Sequence, residues 1–466
     1  MTTAQPLLLT DEQMKQFITN GFLILKTDFS REFHARLVEQ LNSIYDTEGN
    51  PGNNILPRIR ELQRVFENPV ITGALTSVLG PNYLLHTHRH GHYNSVPKPG
   101  GWHKDSYWGY DRLRNHHPWW AMIMYFPQDT PLELGPTGVM PGTQYQDKRN
   151  FVSDENAEEA TAKGEAGTFA LIHYDIWHRS TPNLLGQPRF MLKFEFMRTQ
   201  FPTAPSWDNK VSSWQEIADG SELNSQIGEE VWNWMSGRTA ATANTASGDA
   251  DEVAALLARV TATDREPDAQ AAAYDLARRG EAGVNALLEA IRSENKYVSR
   301  TAAYGLSAAG AGAVEGLKAL LADNSERTVN HALFALSELR DLADSAIPAV
   351  TGLLDHPSEV VRRTAIEALG IMSSDANAVV PGLIKGLKDE DTQVRFTSGL
   401  SIVRVGSAAS EAVPALAEVL DDENRYVRGH ALEALRYIGT KEAHEVLIQE
   451  LFNARWCSDT TPASTF

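Results

Sequence analysis

Apolar positions recur along this chain with two different rhythms, and the change falls near residue 240. The first element is a helix. Thr10 offers a side-chain cap, and Gln13, three residues on, can reach back to it in a capping-box pattern. The helix ends at Gly21 and runs into a short buried strand, FLIL. Ser30 caps a second helix expected from about Arg31 to Tyr45. From residue 83 onward short apolar runs alternate with Gly and Pro: YLLHTHRHGHY, WWAMIMYF, GVMPGT, GTFALIHY and FMLKFEFMR. Many short strands joined by such turns predict a sandwich or barrel.

Beyond residue 250 the strands give way to one repeated helical phrase. Six segments align: DAQAAAYDL from Asp268, VSRTAAYGL from Val298, TVNHALFAL from Thr328, VRRTAIEAL from Val361, VRFTSGLSI from Val394 and VRGHALEAL from Val427. Their starts lie 30, 30, 33, 33 and 33 residues apart. Second helical patterns such as AIPAVTGLL and AVPALAEVL run between them, followed by short acidic turns such as DDEN at 421–424. A single helix–turn–helix unit cannot bury its apolar face alone, so neighbours must stack into an all-α solenoid. These segments resemble HEAT repeats. The expected organisation is a first domain at 1–237, a small polar linker at 238–251, the solenoid at 252–452 and a tail at 453–466. The tail carries Trp456, Cys457 and Phe466, and is expected to cap the solenoid or fold back on the first domain.

Composition excludes some classes. Apolar content of 42% and charged content of 22% fit a soluble globular protein. No run of about 18 apolar residues suggests a membrane span. The opening MTTAQPLLLTDEQ lacks the basic and apolar regions of a signal peptide, and Cys457 is the only cysteine, so an intrachain disulfide is excluded. Both point to the cytoplasm. A net charge of −18 repels phosphate backbones and argues against nucleic-acid partners.

The stretch GGWHKDSYWG at 100–109 places His103 and Asp105 two residues apart. In extended chain both side chains point to one face and can grip one metal ion. Alone, the pair is more readily a polar turn. A 2-His-1-carboxylate site needs a third ligand, a histidine downstream on a facing strand. His116, His117, His173 and His178 are candidates; His178 follows a strand and a turn in GTFALIHYDIWHRSTPN. Arg189, eleven residues later, heads an alternating strand and could fork onto a dicarboxylate. Lys193 shares its face but reads as a solvated strand end. His86, His88, His90 and His92 would share one strand face, with a second metal site, a cavity lining or cross-strand pairing as alternatives. Trp102, Tyr107 and Trp108 could floor a substrate pocket or simply pack the loop.

Four motifs in order complete the picture: WHKD at 102–105, LELGPTGVMPGT at 132–143, IWHRSTPN at 176–183 and QPRF at 187–190. Residues 8–200 resemble the phytanoyl-CoA dioxygenase family of Fe(II)- and 2-oxoglutarate-dependent oxygenases. The chain departs from that pattern at Leu134-Gly135-Pro136 and Gly142-Thr143-Gln144, which bears on substrate-side geometry rather than on the ligands. The resemblance implies a double-stranded β-helix, a cupin-like jelly roll, fused to the solenoid. It implies His103, Asp105 and His178 as catalytic metal ligands and Arg189 as the residue holding 2-oxoglutarate, with Trp102, Tyr107, Trp108, His88 and His90 as candidate substrate contacts. It implies Fe(II), 2-oxoglutarate and O2, with ascorbate as a further candidate cofactor. The expected reaction is oxidation of a C–H bond of a small molecule, usually hydroxylation, with 2-oxoglutarate decarboxylated to succinate. The alternatives are a protein or peptide hydroxylase whose repeats recruit the substrate, and a non-catalytic scaffold. The repeats offer a surface for a protein partner or for self-association.

Overall fold

The computed structural model describes residues 5–105, 113–147, 159–215, 225–238, 249–262, 265–372 and 374–453. These fall into two compact units, residues 1–241 with 266–271, and residues 242–265 with 272–466. Tyr107, Trp108, most of the expected linker and residues 454–466 of the expected tail lie outside the described residues.

In the first unit helix α1 (Asp11–Asn20) carries the capping box at Thr10 and Gln13 and stops at Gly21, whose φ of 77° a side chain would resist. Strand β1 (Phe22–Lys26) and helix α2 (Arg31–Thr47, capped by Ser30) follow. The remaining strands are β2 (Leu84–Asn94), β3 (Trp120–Tyr125), β4 (Thr137–Val139), β5 (Ala160–Thr161), β6 (Thr168–His173), β7 (His178–Ser180) and β8 (Arg189–Met197). They make two antiparallel sheets, one in the order β1-β6-β3-β8-β2 and one in the order β5-β4-β7.

Every residue of β3, β6 and β8 is buried, because these strands are covered on both faces. One face of β8 is aromatic. Phe190 meets Tyr45 of α2 with ring centroids 5.2 Å apart, and Phe194 meets Phe66 at 4.6 Å. Burying such rings contributes roughly 2–3 kcal/mol each, which anchors β8 from behind. The other face of β8 presents Arg189, Met191, Lys193 and Glu195 inward. The histidine row on β2 does not pair regularly with it. Leu85 lies opposite Phe196 but Arg89 lies opposite Phe194, so β2 advances four residues where β8 advances two. The two extra residues shift β2 along β8 without turning it over, so His90 lies opposite Lys193 and His92 opposite Met191.

The second unit is helical, and its repeated phrase is a run of stacked helices: Lys296–Ser307, Glu326–Leu339, Glu359–Ile371, Thr392–Val405 and Arg425–Ile438. Shorter helices such as Ala376–Gly386 alternate with them. The spacing of the V-R pairs has a direct cause. Arg362 Nε donates to Asp389 at 2.8 Å and Arg395 Nε to Asp422 at 2.7 Å, each bracing the next acidic turn. Arg395 Nη1 also donates to the carbonyls of Asp389 and Glu390, at 2.9 and 3.0 Å. No helix among the described residues is long and apolar enough to cross a membrane.

Candidate metal centre

His103 and His178 are direct cross-strand partners. The His103 N–H donates to the His178 carbonyl at 3.1 Å and the His178 N–H donates back at 3.0 Å. A hydrogen-bonded antiparallel pair sets its side chains next to each other, and the two imidazole centroids lie 4.4 Å apart. The third candidate ligand therefore sits directly across an antiparallel bridge from the first. Asp105, two residues beyond His103, turns to the same side. One ligand atom from each of His103, Asp105 and His178 lies within 4.8 Å of the others, the arrangement a single ion requires.

Backbone carbonyls fix both ring orientations. His103 Nδ1 donates to the Gly101 carbonyl at 2.9 Å, and His178 Nδ1 to that of Ile176 at 3.1 Å. Each Nε2 faces the Asp105 carboxylate, 4.0 Å away for His103 and 3.4 Å for His178, and is the nitrogen available to an ion. Arg114 Nη1 donates to the Asp105 carbonyl at 2.9 Å and to Asp175 at 2.7 Å, tying the His-x-Asp segment to the turn before His178. Lys104, between the two ligands, donates to the Thr143 carbonyl at 3.0 Å, and burial lowers its ammonium to about 7.

The electrostatics set the protonation of Asp105 and His103. Burial would raise the Asp105 carboxyl. The hydrogen bond from His178 and the charge of Lys193 outweigh it and hold Asp105 well below the usual carboxylate range. Burial, then the neighbouring His178, lowers His103. An ionised carboxylate and a neutral imidazole are the forms that ligate.

These three side chains line a cavity of about 390 Å³, together with His92, Met124, Thr137, Arg189, Met191 and Lys193. Arg189 is 2% exposed, and its Nε and Nη1 have no hydrogen-bond partner among the described residues. Its position is set from both sides. Gln128 accepts from the Phe190 N–H at 3.1 Å and donates to the Pro188 carbonyl at 2.7 Å. Asn183 closes the loop before β8, donating to the carbonyls of Asn94 and Gln187 at 3.0 and 2.7 Å. A buried guanidinium with unpartnered donors facing a cavity is the chemistry of an anion site.

Other predicted residues fall elsewhere. Trp102 is covered by the Arg179 guanidinium at 4.5 Å, and Arg179 is itself doubly bonded to Glu159. Trp102, His88 and His90 are not among the residues lining the cavity; His92 is, beyond the β2 bulge. Burial, then the charge of Lys193, lowers His92 to about 3. His173 is buried in β6 and lowered to about 4, chiefly by burial. Gln144, in the departure from the family pattern, donates to the Ile18 carbonyl at 2.9 Å and anchors α1. Lys193 is not a solvated strand end. It is 7% exposed and donates to Asp105 Oδ2 at 2.8 Å, because β2 and β3 flank it on both sides. Alternation alone cannot tell the middle of a covered strand from its end.

Two antiparallel sheets and converging His, Asp and His side chains define a class: a jelly-roll-type fold with a candidate 2-His-1-carboxylate site. Residues 25–191 match the family model of phytanoyl-CoA dioxygenase (PhyH), and residues 314–395 and 380–453 match HEAT repeats. The chain thus carries a phytanoyl-CoA dioxygenase family domain followed by HEAT repeats. Solved structures similar to it include HygX from Streptomyces hygroscopicus, crystallised with nickel and 2-oxoglutarate (14% identity, 41% of this chain and 88% of that one, TM-score 0.34). Another is SnoK, a non-heme alpha-ketoglutarate-dependent carbocyclase of nogalamycin biosynthesis (15% identity, 47% and 92%, TM-score 0.34). A third is a designed armadillo repeat protein in complex with the peptide (KR)4 (19% identity, 40% and 99%, TM-score 0.30). No curated protein sequence matches the chain.

Proposed function

We propose that the chain is a non-haem Fe(II)- and 2-oxoglutarate-dependent dioxygenase that hydroxylates, or otherwise oxidises, a C–H bond of a small molecule. The observation that carries the reading is one cavity holding both His103, Asp105 and His178 and the unpartnered Arg189. Bound there, Fe(II) with 2-oxoglutarate and O2 supplies a two-electron oxidation of the substrate as 2-oxoglutarate is converted to succinate and CO2.

The residues of this chain do the rest. His103, Asp105 and His178 hold the ion on one side and leave its other positions to small ligands. Arg189 takes the far carboxylate of the co-substrate and so fixes which end faces the ion. Met124 and Met191 give the wall an apolar portion that excludes water. A cavity of about 390 Å³ is in the small-molecule range. The HEAT repeats serve as a surface for a partner or for a second copy of the chain.

The test is anaerobic addition of Fe(II) and 2-oxoglutarate to the full chain. A weak visible charge-transfer band is expected in the wild type and its loss in Asp105→Ala and His178→Ala. A wild type without the band refutes the metal assignment. Succinate release across a panel of small molecules then identifies the substrate.

A further inference from the structure

One cation on the cavity wall has no part in the reading above. Lys193 Nζ donates to Asp105 Oδ2 at 2.8 Å, and Glu195 Oε1 lies 3.6 Å from the same ammonium. Glu195 is fully buried, and its other oxygen lies 3.6 Å from His86 Nδ1. Lys193 therefore stands between Asp105, a metal ligand in the proposed site, and the carboxyl of Glu195, which burial and then the charge of Asp105 raise well above the usual carboxylate range. Its backbone is fixed, because β8 pairs with β2 at His90 and with β3 at Met124 at this residue. Only the side chain can change partner.

Asp105 is 17% exposed and lies against two imidazoles, so without a cation nearby its charge would be buried and uncompensated. Lys193 supplies that cation. A divalent ion at Asp105 would then face an ammonium a few ångströms away, and like charges at such a distance repel strongly in a poorly solvated site. Glu195 gives the ammonium a second acceptor on the side away from the ligands.

We propose that Lys193 is a built-in counter-ion that competes with the metal for Asp105, handing its ammonium to Glu195 when the ion binds. The proposal rests on the metal assignment made above. Its consequence is a site that stays intact without its ion and holds the ion more loosely than the three ligands alone would. Lys193 is a positioning residue in this scheme, acting through Asp105 and not on the substrate.

The experiment is Co(II) titration of the full-length chain without oxygen, followed by visible d–d absorption. Lys193→Met and Lys193→Gln remove the charge, and Lys193→Arg keeps it. Removing a unit charge this close to the ion should tighten Co(II) binding by about tenfold or more in the first two. Lys193→Arg should stay within about threefold of the wild type, since it preserves the competing charge. The melting temperature of Lys193→Met should fall more in the metal-free than in the Co(II)-loaded chain. Unchanged or weaker Co(II) binding in both neutral variants overturns the proposal while leaving the metal site standing. No Co(II) binding by the wild type overturns both. If circular dichroism shows Lys193→Met unfolded, Lys193→Gln, which can still hydrogen-bond Asp105, carries the comparison.

Discussion

Arg189→Met should weaken 2-oxoglutarate binding and at the same time stabilise the ligand-free chain. Arg189 is 2% exposed, and burial lowers its guanidinium only to about 10, so it stays charged at neutral pH. Two of its nitrogens have no acceptor among the described residues. Unsatisfied buried donors cost about 1–3 kcal/mol, and methionine of similar length removes them without opening a large cavity. The ligand-free variant should therefore gain about 1–3 kcal/mol, a rise of a few degrees in melting temperature for a domain of this size. Binding moves the other way. Truncating one partner of a buried, hydrogen-bonded charge pair costs about 2–5 kcal/mol. At about 1.4 kcal/mol per tenfold, that is a loss of roughly 30-fold to a few thousand-fold in affinity. Anaerobic calorimetry of 2-oxoglutarate binding to the Mn(II)-loaded chain, paired with thermal unfolding of the ligand-free chain, reads both signs. A variant that keeps 2-oxoglutarate affinity within threefold and melts lower would mean that Arg189 is a structural residue.

Two further outcomes follow from the solenoid. His331 and His430 are buried, which lowers them to about 3 and about 4, whereas each titrates near 6.5 when unfolded. Both folded values are depressed, so the stability is present above about pH 6.5 and is lost as pH falls toward 4. Urea unfolding should show a loss of about 2 kcal/mol per histidine between pH 7 and 5, and a His331→Asn/His430→Asn chain that keeps the wild-type slope would contradict this. Arg395→Met removes the 2.7 Å bond to Asp422 and two carbonyl contacts, and should cost about 2–4 kcal/mol, with hydrogen exchange rising first around residues 389–394 and 422. A cost under about 0.5 kcal/mol would class the ladder with ordinary surface pairs.

The sequence made the repeats legible because one arginine must meet one acidic turn at a fixed spacing, and Arg362 and Arg395 repeat that requirement 33 residues apart. The sheets were legible for a similar reason: fully covered strands read as continuous apolar runs, as β3 and β6 do. The ligand geometry was legible only in part. Period-two alternation places His103 and Asp105 on one face, but the reciprocal backbone pairing of His103 with His178 is a tertiary fact. So is the choice of Gly101 and Ile176 carbonyls as orienters of the two rings. The place of the histidine row was not legible, because the bulge between Leu85 and Arg89 shifts β2 along β8 and leaves no mark in the hydrophobic pattern; His92 lies opposite Met191 and borders the cavity.

What the cavity accepts depends less on how many cations line it than on which of them are already engaged. Four lysine or arginine side chains border it among the described residues: Lys98, Arg179, Arg189 and Lys193. Arg179 is doubly bonded to Glu159 and Lys193 is bonded to Asp105. Lys98 is exposed to solvent, where its charge is screened. Arg189 is left as the buried cation with nitrogens lacking an internal acceptor. It stands four residues from Lys193 on β8, about 13 Å along the strand, and Lys193 marks the position of the ligands. Under the proposed function one carboxylate of 2-oxoglutarate pairs with Arg189, and that commitment dictates the end left for the ion.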